Sequence, residues 1–342
     1  MELVTRILMS RNCIIFMFVH TTLLCCAQHP SRMYWVQQNG FGDNDVYRSN
    51  IDGTEVEWLL NANVGIPQLA LDSPRNELYV ADNGNLLVRL NLETLTRENV
   101  FNAIFADPPS RVFEIIGLKL DETRDTVFIL LTPFSGSDSG GIYRCNSDLT
   151  LGLMEDLEPV ILEPYGKAIA LDISHKKIYI SSIRPPYATP YSSTIRRCNY
   201  DGSMAELVIE VPYYVNNLSF DLVKNELIFC AEGRLKKVEL NTGTFSVQEI
   251  PTIGTEYITS VSVDSLRERL FWTDGRTHKI QSSNLEGGEI RDLLTTSLIY
   301  APPTEITVES NNYLLAVPTL SNKGTVIFLL SILVLGLCFI KK

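Results

Sequence analysis

Six acidic residues recur in the same local setting along the chain. Each ends an apolar, strand-like segment, and in five cases a Lys, Arg or His follows three residues later; the acids are Asp72, Asp121, Asp172, Asp221, Asp264 and Glu309. Carboxylates beside a base can perform acid–base catalysis or bind a metal. One active site needs only one such arrangement, whereas six copies suit a scaffold. We interpret the acids as structural: each accepts backbone N–H groups of the following turn, and the base pairs with it or with a neighbouring repeat.

Other motifs that carry chemistry are missing from the sequence. No Cys or His pair has metal-ligand spacing, and neither a G-x-S-x-G motif nor a phosphate-binding loop occurs. The segment Gly42-Asp43-Asn44-Asp45 has too few ligands for a calcium site. The sequence therefore predicts a protein that is not an enzyme, with no catalytic residue, no metal and no cofactor.

The overall charge argues against one class of partner. The net charge is −11 and the pI is about 5.0. Proteins that bind nucleic acid present a basic surface to the phosphates, so we expect no nucleic-acid partner.

Aromatic residues recur shortly before the acids. Tyr165, Tyr214 and Tyr257 each stand seven residues before an acid, and Phe113, Tyr213 and Tyr300 stand eight or nine before one. Aromatic side chains offer a large contact area at a low entropy cost, as binding hot spots do. They could equally cap the hydrophobic core.

Long loops provide a second set of candidates. The segment from Ser182 to Ser193 contains Pro185, Pro186 and Pro190 together with Tyr187 and Tyr191. Long loops on a rigid scaffold often carry function, although they can also be insertions without one. The predicted ligand-binding residues are Phe113, Tyr165, Tyr187, Tyr191, Tyr214, Tyr257 and Tyr300.

These candidates belong to a longer repeat that predicts β-strands. The acids recur at intervals of 43 to 51 residues, and a second strand rich in aromatic and β-branched residues follows each base. A third strand ends in Asn in most repeats, as in VYRSNIDG, LVRLNLET and IYRCNSD, and a weaker fourth strand leads to the next repeat. Four strands per repeat of this length are typical of propeller blades. We predict an all-β, six-bladed β-propeller over residues 28–320.

The second strands carry a family resemblance. Phe271-Trp272-Thr273-Asp274, Met33-Tyr34-Trp35-Val36 and Tyr79-Val80-Ala81-Asp82 resemble the YWTD repeats of the low-density lipoprotein receptor class B type. The resemblance implies a six-bladed propeller that binds proteins outside the cell without catalysis. The chain departs from the family in having no cysteine-rich growth-factor-like modules and no long cytoplasmic tail.

Ring closure has two possible solutions. We expect the last inner strand, Glu305 to Glu309, to pair with the N-terminal strands between Met33 and Leu60, because closure from both chain ends removes exposed edges. Tyr313 to Val317 competes with Met33 to Gln37 for the place beside it.

Both termini indicate the secretory pathway. Residues 1–27 resemble a signal peptide, with Arg6 and Arg11 before a short apolar stretch and Ala27 at a cleavage site, although an uncleaved anchor helix is an alternative. Residues 324–340 form an apolar run followed by two lysines. This run fits a transmembrane helix or a lipid-anchor signal, and a buried core helix is the remaining alternative. We expect a single-pass protein whose body is extracellular, at the cell surface.

The body contains three cysteines and one glycosylation motif. Cys145 and Cys198 occupy equivalent places in neighbouring repeats, too far apart for a disulfide, and with Cys230 they should be buried and unbridged. Asn217-Leu218-Ser219 is the motif that predicts glycosylation at Asn217.

Two functional hypotheses follow. The first is a non-catalytic, receptor-like binding module, held at the membrane, that recognises an extracellular protein through one propeller face. The alternative is a small-molecule carrier or lactonase-like hydrolase at the channel mouth, where Glu114, Asn216, Asn217 and Glu256 are the polar candidates.

Overall fold

The computed structural model consists of antiparallel β-sheets arranged in a ring. It describes residues 31–38, 43–63, 67–104, 112–133, 140–148, 152–163, 165–183, 192–241, 245–296 and 302–309. Within these residues there are six four-stranded sheets and a short 3₁₀ helix, Met154–Asp156. The innermost strands contact one another in a closed circle. The predicted all-β, six-bladed propeller is therefore confirmed.

The blades are numbered in the order in which their outer strands follow along the chain. From the axis outward, blade one contains β24 (Pro303–Val308), β1 (Arg32–Gln38), β2 (Asn44–Asn50) and β3 (Glu57–Ala62). Blade two contains β4 (Leu69–Asp72), β5 (Glu77–Asp82), β6 (Leu86–Asn91) and β7 (Arg97–Asn102). Blade three contains β8 (Phe113–Asp121), β9 (Thr126–Pro133), β10 (Gly141–Asn146) and β11 (Glu158–Leu162).

Blades four to six repeat the same order. Blade four contains β12 (Gly166–Asp172), β13 (Lys177–Ile183), β14 (Ser193–Asn199) and β15 (Glu206–Val211). Blade five contains β16 (Val215–Asp221), β17 (Glu226–Ala231), β18 (Arg234–Glu239) and β19 (Val247–Ile250). Blade six contains β20 (Ile258–Asp264), β21 (Arg269–Asp274), β22 (Lys279–Asn284) and β23 (Arg291–Thr295).

Blade one closes the ring with strands from both ends of the chain. β24 pairs with β1 in an antiparallel register that places Val308 opposite Met33 and Glu305 opposite Val36. This confirms the predicted closure and gives the place beside β24 to β1. The competing segment, Tyr313 to Val317, lies outside the described residues.

The recurring acid organises the turn between the first and second strands of a blade. Asp264 has no exposed surface; its Oδ1 accepts the backbone N–H of Arg267 at 3.1 Å, and its Oδ2 accepts the Arg267 guanidinium at 2.5 Å. The same hydrogen bond to the turn backbone recurs, with minor variation, at Asp72, Asp121, Asp172 and Asp221. The acids are thus structural, as predicted.

The base beyond the acid also contacts the next blade. Arg75 of blade two reaches Asp125 of blade three at 2.7 Å. Arg124 donates to the carbonyl of Ile173 in blade four at 3.3 Å, and Arg267 donates to that of Glu309 in blade one at 3.4 Å. The turn that satisfies a buried acid therefore also joins neighbouring blades.

A second set of arginines joins the blades farther from the axis. Arg48 of β2 pairs with Glu57 at 2.7 Å and donates to the carbonyl of Leu92 in blade two at 2.7 Å. Arg89 and Arg144 repeat this pattern by donating to the carbonyls of Ser147 and Tyr200, respectively. The sequence pattern alone did not identify these contacts, although each of these three arginines lies two residues before the Asn that ends its strand.

The core lies between the blades, where large side chains of one sheet pack on the next. Trp35, Tyr79, Tyr179 and Trp272 are all 2% exposed or less. The second strands that carry these residues are rich in β-branched and aromatic side chains, which pack well on a pleated, fully covered surface. Within the described residues, no helix is long and apolar enough to cross a membrane. The apolar run at 324–340 lies outside those residues.

The acid turn generates the first prediction. Asp264→Ala removes the carboxylate that accepts the backbone N–H and the guanidinium of Arg267, so we expect the free energy of unfolding to fall by about 1–3 kcal/mol. The control is Asp52→Ala, which removes a similar turn-forming acid that is fully exposed and bound only to Thr54. Urea titration monitored by tryptophan fluorescence should show a lower midpoint for Asp264→Ala and an unchanged midpoint for the control. Equal midpoints for the two variants would contradict a structural role.

The cysteines generate the second prediction. Cys145, Cys198 and Cys230 are buried and free, as the sequence predicts. Burial raises the pKa of the Cys145 thiol to about 12 and that of Cys198 to about 11, and it raises the pKa of Cys230 strongly. Since the thiolate is the reactive form, none of the three should be alkylated by iodoacetamide at pH 8 until the protein is unfolded. Labelling of the folded protein at any of these positions, read by mass spectrometry, would contradict the structure.

Candidate functional site

Two cavities lie along the ring of innermost strands. The first, which we call the upper cavity, has a volume of about 400 Å³ and is lined mainly by residues from the N-terminal parts of these strands. The second, the lower cavity, has a volume of about 150 Å³ and is lined by residues near the acid turns. Lys119 of β8 lines both cavities. Lys119 therefore lies between the two cavities.

Lys119 occupies a repeated position, two residues before each acid. Five blades place a small side chain there and one places a lysine: Ala70, Lys119, Ala170, Ser219, Ser262 and Thr307. Small residues fit because their partners on the second strand are large in most blades, as with Tyr79 opposite Ala70 and Phe271 opposite Ser262. Lys119 is the one long side chain in this layer.

Polar and apolar side chains both line the upper cavity. Each blade contributes at least one polar side chain, and the set includes Gln68, Glu114, Lys167, Asn216, Thr259 and Thr304. Glu305 of β24 also lines it and is only 4% exposed. Burial raises the pKa of Glu305 to about 7, against the lowering effects of the Lys119 ammonium and of a hydrogen bond from Ser260.

The lower cavity contains a second carboxyl group, which is partly buried. Glu122 follows Asp121 and accepts the backbone N–H of Ser73, in blade two, at 2.8 Å. Burial raises its pKa to about 7, and the nearby charge of Asp72 adds to this increase. The hydrogen bond from Ser73 fixes the carboxyl group between two blades, which indicates a structural role.

Three of the predicted tyrosines occupy equivalent places. Tyr165, Tyr214 and Tyr257 immediately precede the innermost strands β12, β16 and β20. Tyr257 is 47% exposed, lines the upper cavity, and places its ring against Gly233, where a Cβ atom would approach the ring within 2.7 Å. Tyr165 is 42% exposed but does not line the cavity, and Tyr214 is half-buried.

The other aromatic candidates are placed differently. Phe113 is 2% exposed and belongs to the core between blades two and three, so the interpretation of this residue as a ligand contact is corrected. Its ring lies on the side of β8 that packs against the neighbouring sheet. Tyr213 lies beneath the Lys236 ammonium, 4.8 Å from its ring centre. Tyr187, Tyr191 and Tyr300 lie outside the described residues.

The structure places three of the four polar candidates at the upper cavity. Glu114, Asn216 and Asn217 line the upper cavity, whereas Glu256 is exposed outside it, with its backbone N–H donated to Asp274 at 2.8 Å. Among the described residues, no group of three His, Cys, Asp or Glu side chains could hold a metal.

Asn217 is poorly placed for the predicted glycan. It is 8% exposed; its Nδ2 donates to Glu305 at 3.5 Å, and its Oδ1 accepts the backbone N–H of Val261 at 3.2 Å. A sugar on Nδ2 would have to occupy the channel, so the folded geometry argues against glycosylation at this residue.

Sequence reasoning missed Lys119 and Glu305. A signal for both exists in the aligned inner strands. Four residues before the acid, the six blades carry Gln68, Gly117, Ala168, Asn217, Ser260 and Glu305. Glu305 is the only acid at that position, and Lys119 is the only charged residue two positions further along.

Comparisons with known proteins agree with this architecture. The family model for the low-density lipoprotein receptor repeat class B matches residues 268–303, which include the Phe271-Trp272-Thr273-Asp274 strand. A search of curated proteins finds no match.

Solved structures share the fold. A chain from "Crystal structure of Nidogen/Laminin Complex" superposes with a TM-score of 0.60 at 18% identity, covering 82% of this chain and 99% of that one. TolB from Acinetobacter baumannii gives a TM-score of 0.60 at 11% identity, over 81% of this chain and 66% of that one. A TolB protein from Agrobacterium tumefaciens gives 0.54 at 11% identity, over 77% and 88%. This chain is a six-bladed β-propeller that carries a low-density lipoprotein receptor class B repeat of the YWTD type.

Proposed function

We propose that the propeller is an extracellular binding module that recognises a protein through the face containing the channel mouth, without catalysis. The observation that carries the proposal is the class B repeat within a complete six-bladed ring, since propellers of this type serve mostly as non-catalytic binding modules. One of the structures with this fold is a complex of nidogen with laminin, in which two proteins associate. Laminin is therefore the first protein to test.

The tyrosines at the channel mouth support the choice of face. Tyr165 and Tyr257 are exposed, and each immediately precedes an innermost strand that is fixed by its neighbours on both sides. Aromatic side chains on such a rigid base lose little entropy when a partner binds. The charged groups near them, Lys167 and Glu114, can add orientation to the contact.

We also propose that the module is held at a membrane. The support is the sequence alone: a signal-like segment at 1–27 and an apolar run at 324–340 followed by Lys341 and Lys342. Strand β24 ends at Val308, and residues 309–323 join it to that run. A chain of this length reaches about 50 Å at most, which suits a partner on the same membrane or a soluble one that can approach it.

The third prediction concerns the binding face. The double variant Tyr165→Ala/Tyr257→Ala should lose binding to an extracellular protein by at least tenfold, which corresponds to about 1.4 kcal/mol. The matched control is Val223→Ala/Leu266→Ala, which removes two exposed apolar side chains at the opposite ends of the strands. The measurement is capture of laminin and other proteins from basement-membrane extract, quantified by mass spectrometry for the unaltered protein and both variants.

The expected result is a protein enriched by the unaltered chain and by the control but lost with the tyrosine variant. Circular dichroism and thermal unfolding verify that all three proteins are folded. If every captured protein is retained equally by the tyrosine variant, the proposed face is wrong.

The fourth prediction concerns attachment. Cells that express the protein should retain it at the surface after treatment with a phosphatidylinositol-specific lipase, because we propose that residues 324–340 span the membrane. A known lipid-anchored protein on the same cells serves as the control for lipase activity. Release of the propeller into the medium would replace the transmembrane proposal with a lipid anchor and would leave the binding proposal unchanged.

A further inference from the structure

Glu305 is a buried carboxyl group that faces a cavity. It is 4% exposed, and both of its hydrogen bonds end on one oxygen, Oε2: Ser260 Oγ donates at 3.0 Å and Asn217 Nδ2 at 3.5 Å. Within the described part of the chain it forms no salt bridge, and the one cation whose charge acts on it is Lys119. A carboxylate removed from water without a paired cation is costly. Glu305 therefore favours any cation that can enter the upper cavity.

Burial also changes the protonation equilibrium of Glu305. It raises the pKa of this carboxyl group to about 7. Near neutral pH the group is thus divided between a protonated form and an ionised form that lacks a close counter-charge. An ammonium group in the cavity would stabilise the ionised form through a charge-assisted hydrogen bond.

With Glu305 ionised, the charged groups that line the cavity are balanced in number. Glu114 adds a second carboxylate, and Lys119 and Lys167 add two ammonium groups. Tyr257 contributes an aromatic ring from blade six, and such a ring attracts a cation through its face. The cavity therefore offers sites for both a positive and a negative group within one enclosed space.

We propose that the upper cavity binds a small zwitterionic ligand, an amino acid whose ammonium group meets Glu305 and whose carboxylate meets Lys119 or Lys167. The cavity of about 400 Å³ lies at the lower end of the range for small-molecule sites, which favours a ligand of this size. The site adjoins the protein-binding face proposed above and shares Glu114, Lys167 and Tyr257 with it, whereas its central group, Glu305, is buried in the channel. No bond is formed or broken in the proposed event.

Ligands that differ by one charge give the sharpest test. Isothermal titration calorimetry with the full-length protein in detergent at pH 7.5 would compare 6-aminohexanoate with hexylammonium and hexanoate, which each lack one of its charged groups. Glycine and 4-aminobutyrate test the spacing between the charges. We expect at least one of the three zwitterions to bind at least tenfold more tightly than both singly charged compounds. Absence of binding by all three zwitterions at 10 mM, or equal binding by hexanoate, would overturn the proposal.

Matched variants then locate the site. Glu305→Gln preserves the shape and should weaken zwitterion binding at least tenfold, and either Lys119→Met or Lys167→Met should weaken it similarly. The control is Glu122→Gln, which changes a partly buried carboxyl group with a similarly raised pKa in the lower cavity and should leave binding unaltered. Thermal unfolding verifies that each variant is folded. Unchanged affinity in folded Glu305→Gln, or in both lysine variants, would refute the assigned contacts.

Discussion

A carboxylate that is closed off from water must be given hydrogen-bond donors, and the blade turns of this protein are built around that requirement. Asp264 illustrates the solution: the turn backbone and the Arg267 side chain, three residues on, supply the donors. The donor side chain is long enough to reach Glu309 in the next blade as well. One local interaction thus determines the turn, the end of the innermost strand and the contact between blades. Repetition of this interaction from blade to blade joins the sheets into a ring.

The mutual dependence of the blades explains why the chain ends meet in one sheet. In an open ring, the basic side chain after the acid of the last blade would lack its acceptor in the next blade. Two sheet faces would also be exposed to water. Pairing of β24 with β1 removes both problems. At this junction Glu309 takes the place of the repeated Asp and accepts the backbone N–H of Arg32 at 3.2 Å. The longer side chain reaches across to a strand from the other end of the chain.

The sequence predicts the features that depend on local residue patterns. It does not predict the features that depend on the register between paired strands. Strands, blades, the acid turns and the unbridged cysteines follow from spacing and residue type. The channel lining was harder to predict because the register of the innermost strands shifts between Ile115 and Gly117 in β8, and between Ile258 and Ser260 in β20. Such a bulge reverses the face that residues beyond it present. Counting back from the acid therefore placed Phe113 at the channel, although it packs in the core.

Residues that depart from the repeat are better indicators of function than residues that follow it. Positions that are alike in every blade can be explained by the scaffold, because every blade needs them equally. Lys119 and Glu305 have no such explanation, because the other blades place small or neutral residues there. Removing a charged group from water, almost fully for Glu305 and partly for Lys119, lowers stability unless the group is paired. Neither group forms a salt bridge within the described residues, so ring stability does not account for them. A ligand with complementary charges would account for both, because it supplies the partners that the scaffold leaves out.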